Sequence, residues 1–226
     1  MLFHSPCTIF VKDCEIWLIE GIDGMLKYQI PTWMQMCYRG VTWRKKTDRK
    51  VIYLTFDDGC VPEVTPQVLT ILKDKGVKAT FFCVGDNVRK HPELFERIKA
   101  EGHQVGNHTY NHLKGIKTPL KDYLENVAEA NRLIESTLFR PPYGKMSFKQ
   151  KHILQKEYEI VMWDVLTNDF DVQTSVTELL QQTKRHTRNG SVIVFHDSIK
   201  AAERMLYALP ILIDWWKEQG YAFETL

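Results

Sequence analysis

The feature that most constrains the fold is an alternation of two apolar patterns that begins at Val51. Short runs rich in β-branched and aromatic residues are typical of buried strands, and apolar residues three and four positions apart are typical of helices. The predicted strands cover residues 51–56, 79–84, 104–106, 160–163, 191–195 and 221–224. The predicted helices cover residues 65–75, 92–100, 118–134, 175–186 and 202–219. Strands that alternate with helices form parallel βαβ units, so we predict an α/β fold, a distorted or incomplete (β/α) barrel rather than an open doubly wound sheet.

The chain has 226 residues, which suits one domain, since α/β barrels often reach this length. No segment rich in Pro, Gly or Ser divides it. We therefore predict a single barrel domain over residues 46–226. Residues 1–45 lack the alternation and are predicted to be an N-terminal extension that packs on the outside of the barrel.

Charge and composition exclude several kinds of partner. The chain carries 30 basic and 28 acidic residues, whereas a domain that binds nucleic acid through its phosphates usually has a clear basic excess. No apolar run approaches the roughly 20 residues that a membrane span needs, and the N-terminus lacks the pattern of a signal peptide. The five cysteines form no CxxC pair and are odd in number, which favours reduced thiols. We predict a cytoplasmic protein that neither binds nucleic acid nor spans a membrane, and the sequence does not indicate its oligomeric state.

Two adjacent carboxylates, Asp57 and Asp58, follow the first predicted strand in the sequence TFDDG. In parallel barrels the carboxyl ends of the strands are where active sites are built. Neighbouring side chains leave the chain in different directions, so one carboxylate can hold a metal ion while the other faces a bound water. The alternative is an ordinary polar turn, because Asp and Gly are common in turns.

Two histidines, His108 and His112, stand four positions apart in the sequence HTYNH. This spacing can bring both imidazoles to one side of a helical turn, where they bind one divalent cation. A single histidine would more often be a satisfied surface or core residue, and the pair favours the metal interpretation.

Two further segments carry polar groups that suit a hydrolase. In the sequence RPPYG the two prolines stiffen the backbone, so that the loop can aim the backbone N–H of Tyr143 at an oxyanion and Arg140 can pair with a buried carboxylate. An ordinary surface turn is the alternative. His196 follows the apolar run SVIVF and, near a carboxylate, can act as a proton donor.

The order of these motifs carries a resemblance to a known family. The sequences TFDDG, HTYNH and RPPYG, then an Asp-aromatic step and a strand that ends in His, resemble the NodB-type polysaccharide deacetylases, also called carbohydrate esterase family 4. The resemblance covers about residues 40–226. It extends to the connecting segments ATFFCVGDNVRKHPEL and GHQVGNHT.

The resemblance implies a distorted barrel of the NodB homology type and a divalent metal ion, most often zinc, with cobalt or nickel as alternatives. It suggests Asp58, His108 and His112 as the metal ligands and Asp57 as the general base. Arg140 would orient Asp57.

The resemblance also suggests the groups that complete the site. The backbone N–H of Tyr143 would bind the oxyanion, and His196 would be the general acid, positioned by Asp169. We prefer Asp169 to Asp164 for this carboxylate because an aromatic residue follows it and its distance in sequence from His196 fits better.

The activity that this family resemblance implies is the hydrolysis of N-linked acetyl groups on N-acetylglucosamine-containing oligo- or polysaccharides, with release of acetate. Alternatives on the same scaffold are hydrolysis of cyclic amides or imides and O-deacetylation of acetyl-xylan, and a carbohydrate-binding protein without activity is a more distant one. Three residues depart from the family pattern: Cys60 replaces a proline, Phe170 a tryptophan and Val194 a leucine. We expect all three near the cleft wall, where they bear on substrate shape.

Overall fold

The computed structural model describes residues 27–226, without the side chains of Met34 and Cys37. The strands are β1 (Val51–Asp57), β2 (Thr80–Cys83), β3 (Gln104–Asn107), β4 (Leu138–Phe139), β5 (Glu159–Ile160), β6 (Val165–Leu166), β7 (Val192–His196) and β8 (Ala222–Phe223). The helices are α1 (Thr32–Cys37), α2 (Thr65–Asp74), α3 (Gly85–Lys90), α4 (Pro92–Ala100), α5 (Leu120–Ile134), α6 (Phe148–Leu154), α7 (Val176–His186) and α8 (Ala202–Glu218). From Lys27 onward, no helix combines the length and the apolar character that crossing a bilayer requires.

The strands form one parallel sheet that curves into an open barrel. Their order is β5-β4-β3-β2-β1-β7-β6, and β8 pairs with the first residues of β1. Within the described part of the chain, no ladder joins the two end strands β5 and β6. The predicted α/β fold with an incomplete barrel is therefore confirmed.

The central strand β1 is buried along its whole length, as expected for a parallel strand covered on both faces. On one face Phe56 stacks on Phe81 of β2 and on Phe195 of β7, with ring centroids 5.0 and 5.8 Å apart. These rings share one core cluster with the apolar faces of α2, α4 and α8. Because side chains alternate along a strand, Thr55 and Asp57 lie on the opposite face, toward the barrel interior.

The chain before β1 contacts both end strands of the open barrel. The backbone N–H of Leu166 donates to the carbonyl of Tyr28 at 2.8 Å. Thr42 exchanges two backbone hydrogen bonds with the chain at β5, through the Ile160 carbonyl and the Met162 N–H, at 2.8 and 2.7 Å. Residues 1–26 of the expected extension lie outside the described residues, and its boundary at residue 45 stays a prediction.

The sequence patterns missed four short elements. The strands β4 and β6 have two residues each, too few to show a period. The helices α3 and α6 have six and seven residues. α6 nevertheless carried a signal, because Ser147 and Gln150 form a capping box at its start.

Candidate metal centre and active site

The candidate site lies where neighbouring parallel strands end. Asp57 and His196 are the last residues of the adjacent strands β1 and β7, and His108 directly follows β3. Arg140 directly follows β4, the neighbour of β3. Parallel strands bring their carboxyl ends to one edge, so residues more than a hundred positions apart meet there.

Three side chains form a cluster suited to a metal ion. The ligand atoms of Asp58, His108 and His112 all lie within 4.8 Å of one another. Asp58 Oδ1 is 3.3 Å from His112 Nε2 and 3.9 Å from His108 Nε2. Among residues 27–226, no hydrogen-bond donor reaches this buried oxygen. A buried carboxylate oxygen without a partner, facing two imidazole nitrogens, fits a divalent cation with open positions for other ligands.

The protonation of this cluster also fits a cation. Burial raises the pKa of Asp58, but the contact with His112 at 3.3 Å and the other nearby histidines outweigh burial and hold that pKa well below its ordinary value. Burial lowers the pKa of His108 to about 4. Asp58 is therefore ionised and His108 neutral near pH 7, which are the forms that bind metals.

The loop that carries the two histidines is held by its own side chains. The Asn107 side chain accepts a hydrogen bond from the Thr109 N–H at 2.8 Å, and the Thr109 hydroxyl accepts one from the Leu113 N–H at 3.1 Å. Asp58, Thr109, His112 and Tyr143 are non-glycine residues with positive φ angles, between 59° and 87°. Backbone conformations of this kind concentrate at functional sites.

Asp57 is held by a buried arginine. Arg140 Nη1 donates to Asp57 Oδ1 at 2.6 Å and to the Thr55 hydroxyl at 2.8 Å. The rest of the guanidinium donates to the carbonyls of Val161 and Met162 at 3.2 and 2.9 Å. The other oxygen, Asp57 Oδ2, faces the candidate metal ligands and lies 4.0 Å from His108 Nε2. One oxygen of Asp57 is thus committed to the arginine, and the other can accept a proton.

His196 is held by Asp169. Its backbone N–H donates to Asp169 Oδ2 at 2.7 Å, and its Nδ1 lies 2.8 Å from Asp169 Oδ1. Burial alone would lower the pKa of His196, but the charge and hydrogen bond of Asp169, with the charges of Asp58 and Asp57, raise it to about 9. The imidazole is therefore protonated near pH 7.

Asp164, the alternative partner, lies elsewhere. Its carboxylate is buried against Arg188, with contacts of 2.5 and 2.9 Å, and accepts a hydrogen bond from Ser191 at 2.7 Å. Gln29 and Gln35 also donate to it. Asp164 thus ties the segment before β1 to the barrel, and the structure brings Asp169 to His196 instead.

Tyr143 lies over His112 at the rim of the cleft. Its ring meets that imidazole edge to face with centroids 4.7 Å apart, and its hydroxyl is 3.2 Å from His112 Nδ1. The structure therefore brings together all the residues that the sequence placed in the site: Asp57, Asp58, His108, His112, Arg140, Tyr143, Asp169 and His196.

The expectation that three departures from the family pattern line the cleft wall is wrong for two of them. Cys60 and Val194 are each only 1% exposed and pack in the core. Phe170 does lie at the site, edge to face with His196 at 4.9 Å. Within the described residues, Cys60 and Cys83 are buried free thiols.

Sequence reasoning missed Asp197 and Asn87. Asp197 is buried, and its Oδ2 accepts a hydrogen bond from the Thr65 hydroxyl at 2.5 Å. Burial raises the pKa of Asp197 to about 7, against the effect of Thr65. A Cβ at Gly59 would lie 2.6 Å from that oxygen, so a larger residue at this position would displace the Asp197 carboxylate. Asn87 donates to the carbonyl of Asp58 at 2.8 Å, a contact that no sequence pattern signals.

A pocket of about 440 Å³ opens beside the three candidate metal ligands, toward the start of α3. Asp58 and His112 form one end of it. Its other walls are Val61, Val84, Asp86, Asn87, Asn111, Ser198 and Ile199. The mixture of apolar and amide groups suits a ligand with both hydroxyl groups and apolar faces.

Comparison with known proteins identifies relatives of this chain. A family model described as polysaccharide deacetylase matches residues 44–160. The peptidoglycan-N-acetylglucosamine deacetylase of Bacillus cereus is 31% identical over 193 residues, which cover 82% of this chain and 91% of that protein. Two further relatives, PdaC of Bacillus subtilis and PgdA of Listeria monocytogenes, are longer, and the chain spans about two fifths of their length.

Solved structures show the same similarity. The structure of the Bc1960 peptidoglycan N-acetylglucosamine deacetylase superimposes with a TM-score of 0.79 at 32% identity, over 87% of this chain and 95% of that one. A pseudoenzyme of carbohydrate esterase family 4 from Bacillus anthracis superimposes with a TM-score of 0.74 at 28% identity, over 81% of this chain and 66% of that one. The fold thus occurs both in deacetylases and in a relative described as a pseudoenzyme.

Proposed function

Because the chain belongs to the polysaccharide deacetylase family, we propose that it is a metal-dependent hydrolase that removes N-linked acetyl groups from N-acetylglucosamine-containing glycans and releases acetate. The observation that carries this proposal is the cluster of Asp58, His108 and His112 with Asp57 and His196 beside it. Hydrolysis of an acetamide needs a water molecule whose pKa is lowered and a base that takes the proton of that water. It also needs an acid that protonates the departing amine.

Asp58, His108 and His112 would hold the divalent cation, most often zinc in this family, with cobalt or nickel as alternatives. When bound, the ion supplies polarisation of the acetyl carbonyl and a lowered pKa of the attacking water. The three residues would leave a fourth position for water or substrate, and such sites can accept a fifth ligand during the reaction.

Asp57 is proposed as the general base. Its Oδ1 is held by Arg140, so Oδ2 can take the proton of the attacking water. Arg140 keeps that carboxylate in one orientation because its remaining donors are bound to the barrel backbone. The backbone N–H of Tyr143 would donate to the oxyanion that develops on the acetyl carbonyl.

His196 is proposed as the general acid. The hydrogen bond to Asp169 holds Nδ1, so Nε2 is the nitrogen that can give its proton to the sugar amine. An amine leaves poorly unless it is protonated, so this transfer completes the cleavage of the C–N bond.

The direct test is acetate release from N-acetylglucosamine oligomers by protein stripped of metal and then given zinc or cobalt. We expect no release without metal and restored release with it. Stoichiometric metal binding without release from any acetylated glycan would refute deacetylation. It would favour another acyl substrate or a binding role like that of an inactive relative.

Substituting Asp169 by Asn should move the alkaline limb of the pH profile of kcat/KM to lower pH. The general acid must be protonated, and its activity is lost as the pH rises through its pKa. The Asp169 charge raises that pKa, so its removal should shift the limb down by about one to three units. The profile is measured on chitooligosaccharides from pH 6 to 10.

Asp171→Asn serves as the control for this shift, because Asp171 pairs with Lys27 and not with His196. Its alkaline limb should coincide with that of the unchanged protein. If the limb stays in place in Asp169→Asn as well, His196 is not the acid.

A further inference from the structure

The loop of residues 140–143 contacts the imidazoles of both candidate metal-binding histidines. The contacts are to Nδ1 of each ring, the nitrogen that faces away from Asp58. His108 Nδ1 lies 2.7 Å from the backbone carbonyl of Arg140, and His112 Nδ1 lies 3.2 Å from the hydroxyl of Tyr143. A neutral imidazole carries one N–H, and a hydrogen bond from Nδ1 leaves the lone pair on Nε2. In both rings it is Nε2 that faces Asp58.

The two supports differ in kind. The Arg140 carbonyl belongs to a buried backbone that cannot turn away, and His108 is itself buried. Tyr143 is 54% exposed, and only its side chain reaches His112. Asp58 lies 3.3 Å from the Nε2 atom of His112, and on the Nδ1 side the phenol group of Tyr143 is the polar group that orients the ring.

The backbone of Tyr143 makes its side chain unusual. Its φ is 60°, in the left-handed region where a residue with a bulky Cβ substituent is uncommon. If the backbone N–H were all that this position provides, glycine would supply it with less steric conflict. A tyrosine held in this conformation, largely in solvent, indicates a role for the side chain.

We propose that the Tyr143 side chain is a positioning residue of the metal centre. Its phenol oxygen accepts the Nδ1–H of His112 and so fixes the tautomer and the ring orientation in which Nε2 binds the ion. This inference rests on the proposed metal centre and adds a function to Tyr143 that is separate from its backbone N–H.

The test is the affinity of the metal-free protein for zinc, measured by competition with a chromophoric chelator. Partners that orient a metal-binding histidine typically change metal affinity by 10–100-fold. We expect Tyr143→Phe, which keeps the ring and loses the hydroxyl, to bind zinc about tenfold more weakly, since water can replace part of an exposed contact. The thermal midpoint of the metal-free variant should stay within about 2 °C of the unchanged protein, because an exposed hydroxyl adds little stability.

Two further variants separate the phenol from other effects. Tyr207→Phe removes the hydroxyl of a tyrosine that is 62% exposed on α8, and it should leave zinc affinity unchanged. Tyr143→Gly suits the left-handed backbone but also lacks the phenol, so it should weaken zinc binding at least as much as Tyr143→Phe. Such a result excludes backbone strain as the cause.

Equal zinc affinity of Tyr143→Phe and the unchanged protein would overturn the inference, as would an equal loss in Tyr207→Phe. Zinc-dependent acetate release together with equal affinities would refute only the role of Tyr143. Weaker zinc binding in Tyr143→Phe without acetate release from the unchanged protein would refute only the proposed deacetylation. An unchanged protein that binds no zinc would overturn both.

Discussion

Replacing Asp57 with asparagine should reduce acetate release by about a thousandfold while zinc still binds. A positioned general base typically contributes 10²–10⁴-fold to the rate. Asparagine has the shape of aspartate but cannot take the proton of the attacking water. Its side-chain oxygen can still accept the hydrogen bond that Arg140 donates to Asp57 at 2.6 Å. The measurements are kcat on chitooligosaccharides and the dissociation constant of zinc.

The matched control is Asp58→Asn, which changes the neighbouring carboxylate in the same way. Asp58 Oδ1 lies 3.3 Å from His112 Nε2, and no donor within residues 27–226 reaches it, whereas Asp57 Oδ1 is bound to Arg140. We therefore expect the Asp58 variant, and not the Asp57 variant, to lose zinc affinity. Loss of zinc in Asp57→Asn would contradict this division of roles.

Replacing Arg140 with methionine should produce the largest loss of stability among single changes at the site. The guanidinium is fully buried, and the variant would leave Asp57 as a buried charge without its partner. Breaking a buried ion pair in this way typically costs about 3–5 kcal/mol. For a chain of this size, 1 kcal/mol corresponds to roughly 2–4 °C. The thermal midpoint should therefore fall by about 10 °C, which calorimetry can measure.

Arg49→Met provides the comparison for a surface pair. Arg49 pairs with Glu224 at 2.9 Å, and the two side chains are 68% and 39% exposed. Exposed pairs contribute about 0–1 kcal/mol, so its midpoint should fall by no more than about 4 °C. If the two variants lost similar stability, the ion pair of Arg140 and Asp57 would not be the buried support described above.

The alternation of strand and helix patterns was enough to predict the fold class, and the order of motifs pointed to the residues that the structure brings together. Residues 51–56 and 191–195 show the continuous apolar runs of strands that are buried on both faces, and polar groups follow both runs directly. Because all strands of the sheet are parallel, their carboxyl ends converge. The family resemblance then supplied roles that the spacing of residues left open.

Short elements and contacts between distant residues could not be predicted in this way. The strand β4 has two residues, yet it places Arg140 beside β3. Asp197 directly follows His196, but only packing shows that its carboxylate is buried against Thr65. Likewise, only the structure shows that Cys60 packs in the hydrophobic core, although it stands two positions after Asp58 in the sequence.

The sequence by itself determined which residues are candidates for the site and that several of them directly follow strands, because strand periodicity and motif order are local properties of the chain. The family resemblance suggested the pairs of Arg140 with Asp57 and of Asp169 with His196, and only the tertiary structure decided how these groups divide their contacts. One oxygen of Asp57 is bound to Arg140, Asp58 faces the histidines, and Asp164 is bound to Arg188 and Ser191 instead of His196. Such pairing depends on which side chains meet from distant parts of the sequence, as for Asp164 with Ser191 across 27 positions and Asp57 with Arg140 across 83. Burial and hydrogen bonding select among these partners, and neither is encoded in any one segment.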